Sequence, residues 1–186
     1  MALEFVDSSG TPVANPSFAM AATNLLTSCQ LVTGTMGSLG ANRMRITQGS
    51  PGNGWNVSLA ATGGATSSWT RTVAGAFYDY NDSSGSPAGC NSGSDGDGLA
   101  GQLSVAANTI TLTPQSGCGT TGLSLGGGMT GFVQGSVNAI TLLTSTSGSQ
   151  SNCYFDLPGM GVQQRIPSGQ AQGTYEIQLT ATVVAQ

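Results

Sequence analysis

At 186 residues the chain is long enough for one domain with its own core, and 38% hydrophobic content with two tryptophans excludes a disordered polymer. Only 6% of the residues are charged and the net charge is −4, which excludes nucleic acid as a partner, because that contact rests on Lys and Arg set against phosphates. Histidine and lysine are both absent, so a Ser or Cys nucleophile with a His base and a Lys-Asn isopeptide staple are excluded too.

Met1, Leu3 and Phe5 alternate with Ala2 and Glu4, the period-two pattern of a strand, until Ser8-Ser9-Gly10-Thr11-Pro12 interrupts it before Val13. Two readings stay open. Residues 1–12 are either an ordinary first strand or a detachable arm, hinged at the Gly/Pro break, whose Leu3, Phe5 and Val6 would complete the sheet of a neighbouring copy. Residues 13–186 then form a single β-sandwich domain. Phe18 to Leu26 is the best candidate for a short helix, and no other segment has helical periodicity.

Arg43 to Thr47 alternates with Met44 and Ile46 inward, and Trp55, Val57 and Leu59 alternate against Asn56, Ser58 and Ala60. The Gly/Pro/Asn loop between the two runs predicts neighbouring strands. Arg43 and Arg45 fall on the outward face, where cations protect an edge or meet Glu4 or Asp7 of a neighbour's arm. Leu99 to Val105 and Thr109 to Thr113 flank a loop short enough for a hairpin. Further strands are expected at Gly131 to Gln134, Ala139 to Thr144, Tyr154 to Leu157 and Gly161 to Ile166. After Ile166-Pro167-Ser168-Gly169 comes a long last strand, with Tyr175, Ile177, Leu179, Ala181 and Val183 on one face and Thr174, Glu176, Gln178, Thr180 and Thr182 on the other. Many short strands at this spacing predict an all-β fold: an immunoglobulin-like or jelly-roll-like sandwich, mostly antiparallel, with long Gly/Ser/Asn-rich loops.

Cys29, Cys90, Cys118 and Cys153 contain no C-x-x-C pair, which favours two disulfides over a zinc site. Sequence does not choose among the three connectivities. We expect Cys90 with Cys118, closing the Gly/Ser-rich loop, and Cys29 with Cys153, tying early and late segments. Acidic residues cluster in Asp79-Tyr80-Asn81-Asp82 and Asp95-Gly96-Asp97-Gly98. Asp79, Asn81, Asp95 and Asp97 are candidate calcium ligands, without the spacing of an EF-hand; the alternative is a solvated acidic loop, since Asp and Gly are common turn residues. Paired carboxylates for glycoside hydrolysis, drawn from Asp79, Asp82, Asp95, Asp97 or Asp156, lack the aromatic-lined cleft such chemistry uses, and we expect no enzyme.

Cys29 to Thr35, Gly54 to Thr62, Gly101 to Val105 and Ile166 to Tyr175 together resemble predicted surface and pilus-like proteins of candidate-phyla bacteria. More distantly they resemble the WxL domains of Gram-positive cell surfaces, although Trp55-Asn56-Val57 stands in place of a Trp-x-Leu and the last strand has no Trp. The resemblance implies an all-β extracellular structural role without catalytic residues. Residues 1–7 carry no leader pattern and no stretch is apolar enough to span a bilayer, so the expectation is a mature form, and four Cys in a Lys-free, Gly/Ser/Thr-rich chain lead us to expect export. The expectation for function is a secreted or cell-surface subunit that self-assembles with its own copies into a filament or surface layer. The alternative is an adhesin or carbohydrate-binding module that holds a surface glycan near Trp69, Tyr78 or Tyr80.

Overall fold

Alternation of apolar and small polar residues becomes strand almost wherever it occurs in this chain. The computed structural model describes residues 1–24, 27–49, 54–73, 75, 77–93, 96–146 and 151–186. Among them lie fifteen strands and two short 3-10 turns, with no α-helix. The strands are β1 (Ala2–Val6), β2 (Gln30–Met36), β3 (Arg43–Gln48), β4 (Trp55–Ala61), β5 (Ser68–Arg71), β6 (Phe77–Asp79), β7 (Gln102–Ala106), β8 (Thr113–Pro114) and β9 (Leu123–Leu125). They continue with β10 (Thr130–Gly131), β11 (Ala139–Ser145), β12 (Cys153–Leu157), β13 (Met160–Ile166), β14 (Tyr175–Glu176) and β15 (Leu179–Ala185). Every strand pair among the described residues is antiparallel.

The strands form four sheets, ordered β1-β3-β12-β8, β10-β7-β13-β2, β15-β4-β11-β9 and β14-β5-β6, and the fold is an all-β sandwich. The inner faces of the three larger sheets share one core. Met44, Ile46, Phe155 and Leu157 come from the first, Leu103, Val105, Met160 and Val162 from the second, and Trp55, Val57, Leu59, Ile140, Leu142 and Leu143 from the third. Each such side chain, fully buried, contributes about 1.5–3 kcal/mol. A β-bulge between Thr141 and Leu143 lets the consecutive Leu142 and Leu143 both reach zero exposure, which strict alternation forbids. A smaller cluster of Val32, Tyr78 and Ile166, flanked by Trp69, Met20 and Tyr175, seats the fourth sheet.

The expected strands on Arg43 to Thr47, Trp55 to Ala60, Ala139 to Thr144, Tyr154 to Leu157 and Gly161 to Ile166 are all present. The last strand keeps its alternation from Tyr175 to Val183 but is divided into β14 and β15, which belong to different sheets. The two predicted neighbour pairs are not neighbours. β3 and β4 lie in different sheets; the expected strand on Thr109 to Thr113 is instead the end of a 3-10 turn at Ala107–Thr109 and an extended link to the short β8, which lies in a different sheet from β7, so each connection crosses between layers. Phe18 to Asn24 is not helical; Leu25 and Leu26 lie outside the described residues.

The disulfides are Cys29–Cys90 and Cys118–Cys153, with Cα atoms 5.5 and 6.1 Å apart, and not the expected Cys90–Cys118 and Cys29–Cys153. Strand topology is the reason. Cys118 N–H bonds the Gln115 carbonyl in a turn just after β8, and β8 pairs with β12, whose first residue is Cys153. Cys29 immediately precedes β2, which shares a sheet with β7, and Gly89 lies against Gln102 of β7.

Candidate functional site

Residues 1–24 hold the segment read from the sequence as either a first strand or a detachable arm. β1 is an edge strand, bonded to β3 from Ala2 opposite Thr47 to Val6 opposite Arg43. Leu3 and Phe5 pack on the core partly buried, and Val6 has no exposed surface. The Ser8 to Pro12 break is a closed turn built on Asp7. One Asp7 carboxylate oxygen accepts the Ser9 hydroxyl at 2.7 Å and the backbone N–H groups of Ser9 and Thr11 at 2.8 and 2.9 Å. These bonds, led by the Ser9 hydroxyl, hold the carboxyl below the ordinary aspartate range. Val6 bridges Pro12, and Val13 N–H returns to the Phe5 carbonyl at 2.8 Å. Residues 2–13 are therefore a small hairpin.

Asn15, with φ of 50°, and Pro16 turn the chain out of that hairpin. The following strap has period two without a ladder: Pro16, Phe18 and Met20 are half-buried, while Ser17, Ala19 and Ala21 are exposed. Phe18 lies 6.1 Å from the Phe5 ring and shares a small apolar pocket with Met36, Met44 and Leu157. Met20 packs where Gly34 of β2 has no side chain; a Cβ there would sit 3.4 Å from Met20 Cα and 3.3 Å from Val162 Cγ2. The strap's backbone contact with β2 is a long bond from Ala21 N–H to the Thr33 carbonyl, 3.5 Å. The expectation of a short helix over Phe18 to Leu26 hides Phe18 and Met20 as strap anchors.

Arg43 and Arg45 do face away from Met44 and Ile46, yet they are not solvated guards of an edge, because β3 lies between β1 and β12. Asp156 of β12 takes both. Arg43 Nε donates to Asp156 Oδ2 at 2.7 Å, and Arg45 donates from Nε to Oδ1 at 2.7 Å and from Nη2 to Oδ2 at 2.9 Å. Arg45 also covers the Tyr154 ring at 3.9 Å and stands opposite Glu4 across the β1–β3 ladder. Arg43 Nη1 donates to the Asp7 carbonyl at 2.5 Å, so the cation clamps the turn of its own chain's N-terminal hairpin. Burial pushes the Asp156 carboxyl up, but the hydrogen bonds and charges of Arg45 and Arg43 outweigh it and hold the group below the ordinary range.

The proposed calcium residues are placed apart in environment. Asp79 and Asn81 have no exposed surface, Asp97 is exposed, and Asp95 lies outside the described residues. Asp79 Oδ1 accepts the Tyr80 N–H, Asn81 Nδ2 donates to the Ala65 carbonyl, and Asp97 Oδ1 accepts the Leu99 N–H in its own turn. Asn81 Oδ1 is buried without a hydrogen bond, but no three acidic, His or Cys side chains gather as a metal group among the described residues. Asp82 instead caps a loop, accepting the Ser84 and Gly93 N–H groups at 2.6 and 2.9 Å.

The aromatic residues considered for glycan stacking are mostly enclosed. Tyr78 and Tyr80 are 4% and 0% exposed. Trp69 stacks on Tyr78 at 5.7 Å and donates its indole N–H to Gln164 at 2.8 Å, and Tyr175 closes the other side of Tyr78 at 4.9 Å. Burial raises the Tyr78 phenol well above its ordinary value.

No protein-family model, curated protein or solved structure matches this chain. The molecule's own chemistry therefore carries the functional reading. Two disulfides mark a chain that folds in an oxidising, non-cytoplasmic compartment. Among the described residues no helix is long and apolar enough to cross a membrane.

Proposed function

We propose that the protein is an extracellular structural subunit that self-assembles with its own copies into a filament or surface layer by strand exchange. The observation that carries this reading is the position of β1, an edge strand that seats Leu3, Phe5 and Val6 against the core and, among the described strands, is hydrogen-bonded to β3 alone. Lifting it out would leave a vacant strand position beside β3, lined for those three side chains. The same strand from another copy would fill that position with the same bonds, the strand-donation mode of assembly. A head-to-tail exchange of this kind does not close on itself unless geometry forces it to, and so extends.

The nearly uncharged surface supports dense packing of copies without mutual repulsion. A glycan-binding module finds less support, since buried Tyr78 and Tyr80 leave no open ring face for a sugar. The test is negative-stain microscopy and light scattering of the full chain, with and without an excess of a synthetic peptide of residues 1–13. Regular polymers that shorten as the peptide occupies vacant positions are expected. Particles of one fixed size at every protein concentration would overturn the reading, and glycan-array binding would then become the question.

A further inference from the structure

We infer that the unit exchanged between copies is residues 1–21, the hairpin and the strap together, parting from the rest of the fold after Ala21; the inference rests on the strand-exchange reading above. An arm ending at residue 12 would have to open at the Ser8 to Pro12 turn or just beyond it. That turn is held by three bonds to one Asp7 oxygen, by the Val6 to Pro12 bridge and by Val13 N–H on the Phe5 carbonyl. Beyond it, Phe18 rests on Phe5 itself, so the strap travels with the strand it touches. The contacts inside residues 2–18 are internal to the unit and survive transfer.

The contacts to the rest of the chain are those a second copy reproduces. They are the β1–β3 ladder, Arg43 on the Asp7 carbonyl, Phe18 against Met36, Met44 and Leu157, and Met20 over Gly34. Phe18 and Met20, half-buried anchors two residues apart, fill the seam between the β1-β3-β12-β8 sheet and β2. The occupant is thus another copy's residues 16–21, because that sequence already fills the seam. A surface cleft of about 260 Å³, bounded by Ser17, Phe18, Thr35 and Asn42, runs beside the strap and leaves one flank in solvent. After Ala21 the described residues 22–24 and 27–28 are exposed, and Cys29 is fixed to Cys90. The eight residue steps from Ala21 to Cys29 reach at most about 28 Å, which bounds the spacing of exchanging copies.

Two cysteine pairs read the exchange directly. Ala21→Cys with Thr33→Cys reports the strap, and Ala2→Cys with Thr47→Cys reports β1, each pair being adjacent in the single chain. Polymers are formed first, oxidised, and run on a denaturing gel without reductant. Ladders of linked chains from both pairs are expected, together with loss of assembly when the Ala21→Cys, Thr33→Cys variant is oxidised as a monomer. Linked dimers from both pairs, without longer ladders, would keep the exchanged unit and remove the filament. A ladder from Ala2→Cys, Thr47→Cys with only internal links from Ala21→Cys, Thr33→Cys would overturn the inference and leave strand exchange standing. Internal links from both pairs within visible polymers would overturn it and place the subunit contact elsewhere. If the unmodified chain forms neither polymers nor linked dimers, both readings fall.

Discussion

Arg43 and Asp156 are 113 residues apart in sequence and form an ion pair of 2.7 Å in which each side chain is 6% exposed. Asp156 receives Arg45 as well, so one carboxylate balances two guanidinium groups on the face where the Asp7 turn reaches Arg43. Asp156→Ala would leave both cations without their counter-charge, and breaking a buried pair in this way costs about 3–5 kcal/mol. The expected result in urea denaturation is a loss of at least about 3 kcal/mol with an unchanged m-value.

Acidification tests the same carboxylate without mutation. Its folded pKa lies below the unfolded one, near 3.9, so its stabilisation is complete above that value and is lost as pH falls through the depressed folded value. Asp7 shifts in the same direction through its turn bonds. Stability measured by denaturant should therefore change little from pH 5 to 7 on account of these groups and decline below about pH 4. A decline centred near pH 6 would contradict this arrangement.

The disulfides close spans of 61 and 35 residues. Chain-entropy arguments give about 4 kcal/mol for each. Peptide mapping without reduction should recover Cys29 with Cys90 and Cys118 with Cys153, and the paired substitution Cys118→Ser, Cys153→Ser should lower stability by up to about 4 kcal/mol.

Gly101 holds the chain with φ of 138°, and a Cβ there would stand 2.1 Å from the Asp79 carbonyl oxygen. Gly101→Ala has no space to occupy, and β7 must move away from the 78–82 segment, breaking Asp79 N–H to Ala100 and Leu103 N–H to Tyr80. A loss of about 3 kcal/mol or more in thermal unfolding is expected, at the upper end of overpacking costs.

Met20→Ala removes the strap's second anchor, which is only partly buried, so the cost should fall to about 1–2 kcal/mol, below that of a fully buried Met. Its distinctive sign is local. Limited proteolysis should cut within residues 14–24 faster while leaving the β4–β11 core protected.

Period two made much of this fold legible. In β4 the residues Trp55, Val57 and Leu59 are 1%, 0% and 2% exposed, as their alternation requires, and β13 and the run from Tyr175 to Val183 behave alike. Alternation assigns a face but not what covers it. Arg43 lies on the face expected and is nevertheless buried, because the Asp7, Leu39 and Ala41 carbonyls converge on its guanidinium. Nor does it assign a strand's neighbour: β3 and β4 are only six residues apart in sequence and still join different sheets. Cysteine pairing follows from that same neighbour relation. The strap shows the opposite failure, since Phe18 and Met20 have strand spacing but sit among Ala residues that favour a helix.

Arg43, Asp79, Asp82 and Asp156 have turned inward, and among the described residues only Asp97 and Glu176 keep a charge on a widely exposed side chain. Such a molecule, with few exposed charges and a net charge of −4, casts only a weak electric field into its surroundings. It draws no copy of itself from a distance, so encounters proceed near the unsteered rate of about 10⁵–10⁶ M⁻¹s⁻¹. Its recognition begins at touching range, and salt acts on its encounters only by screening a weak repulsion between like-charged copies.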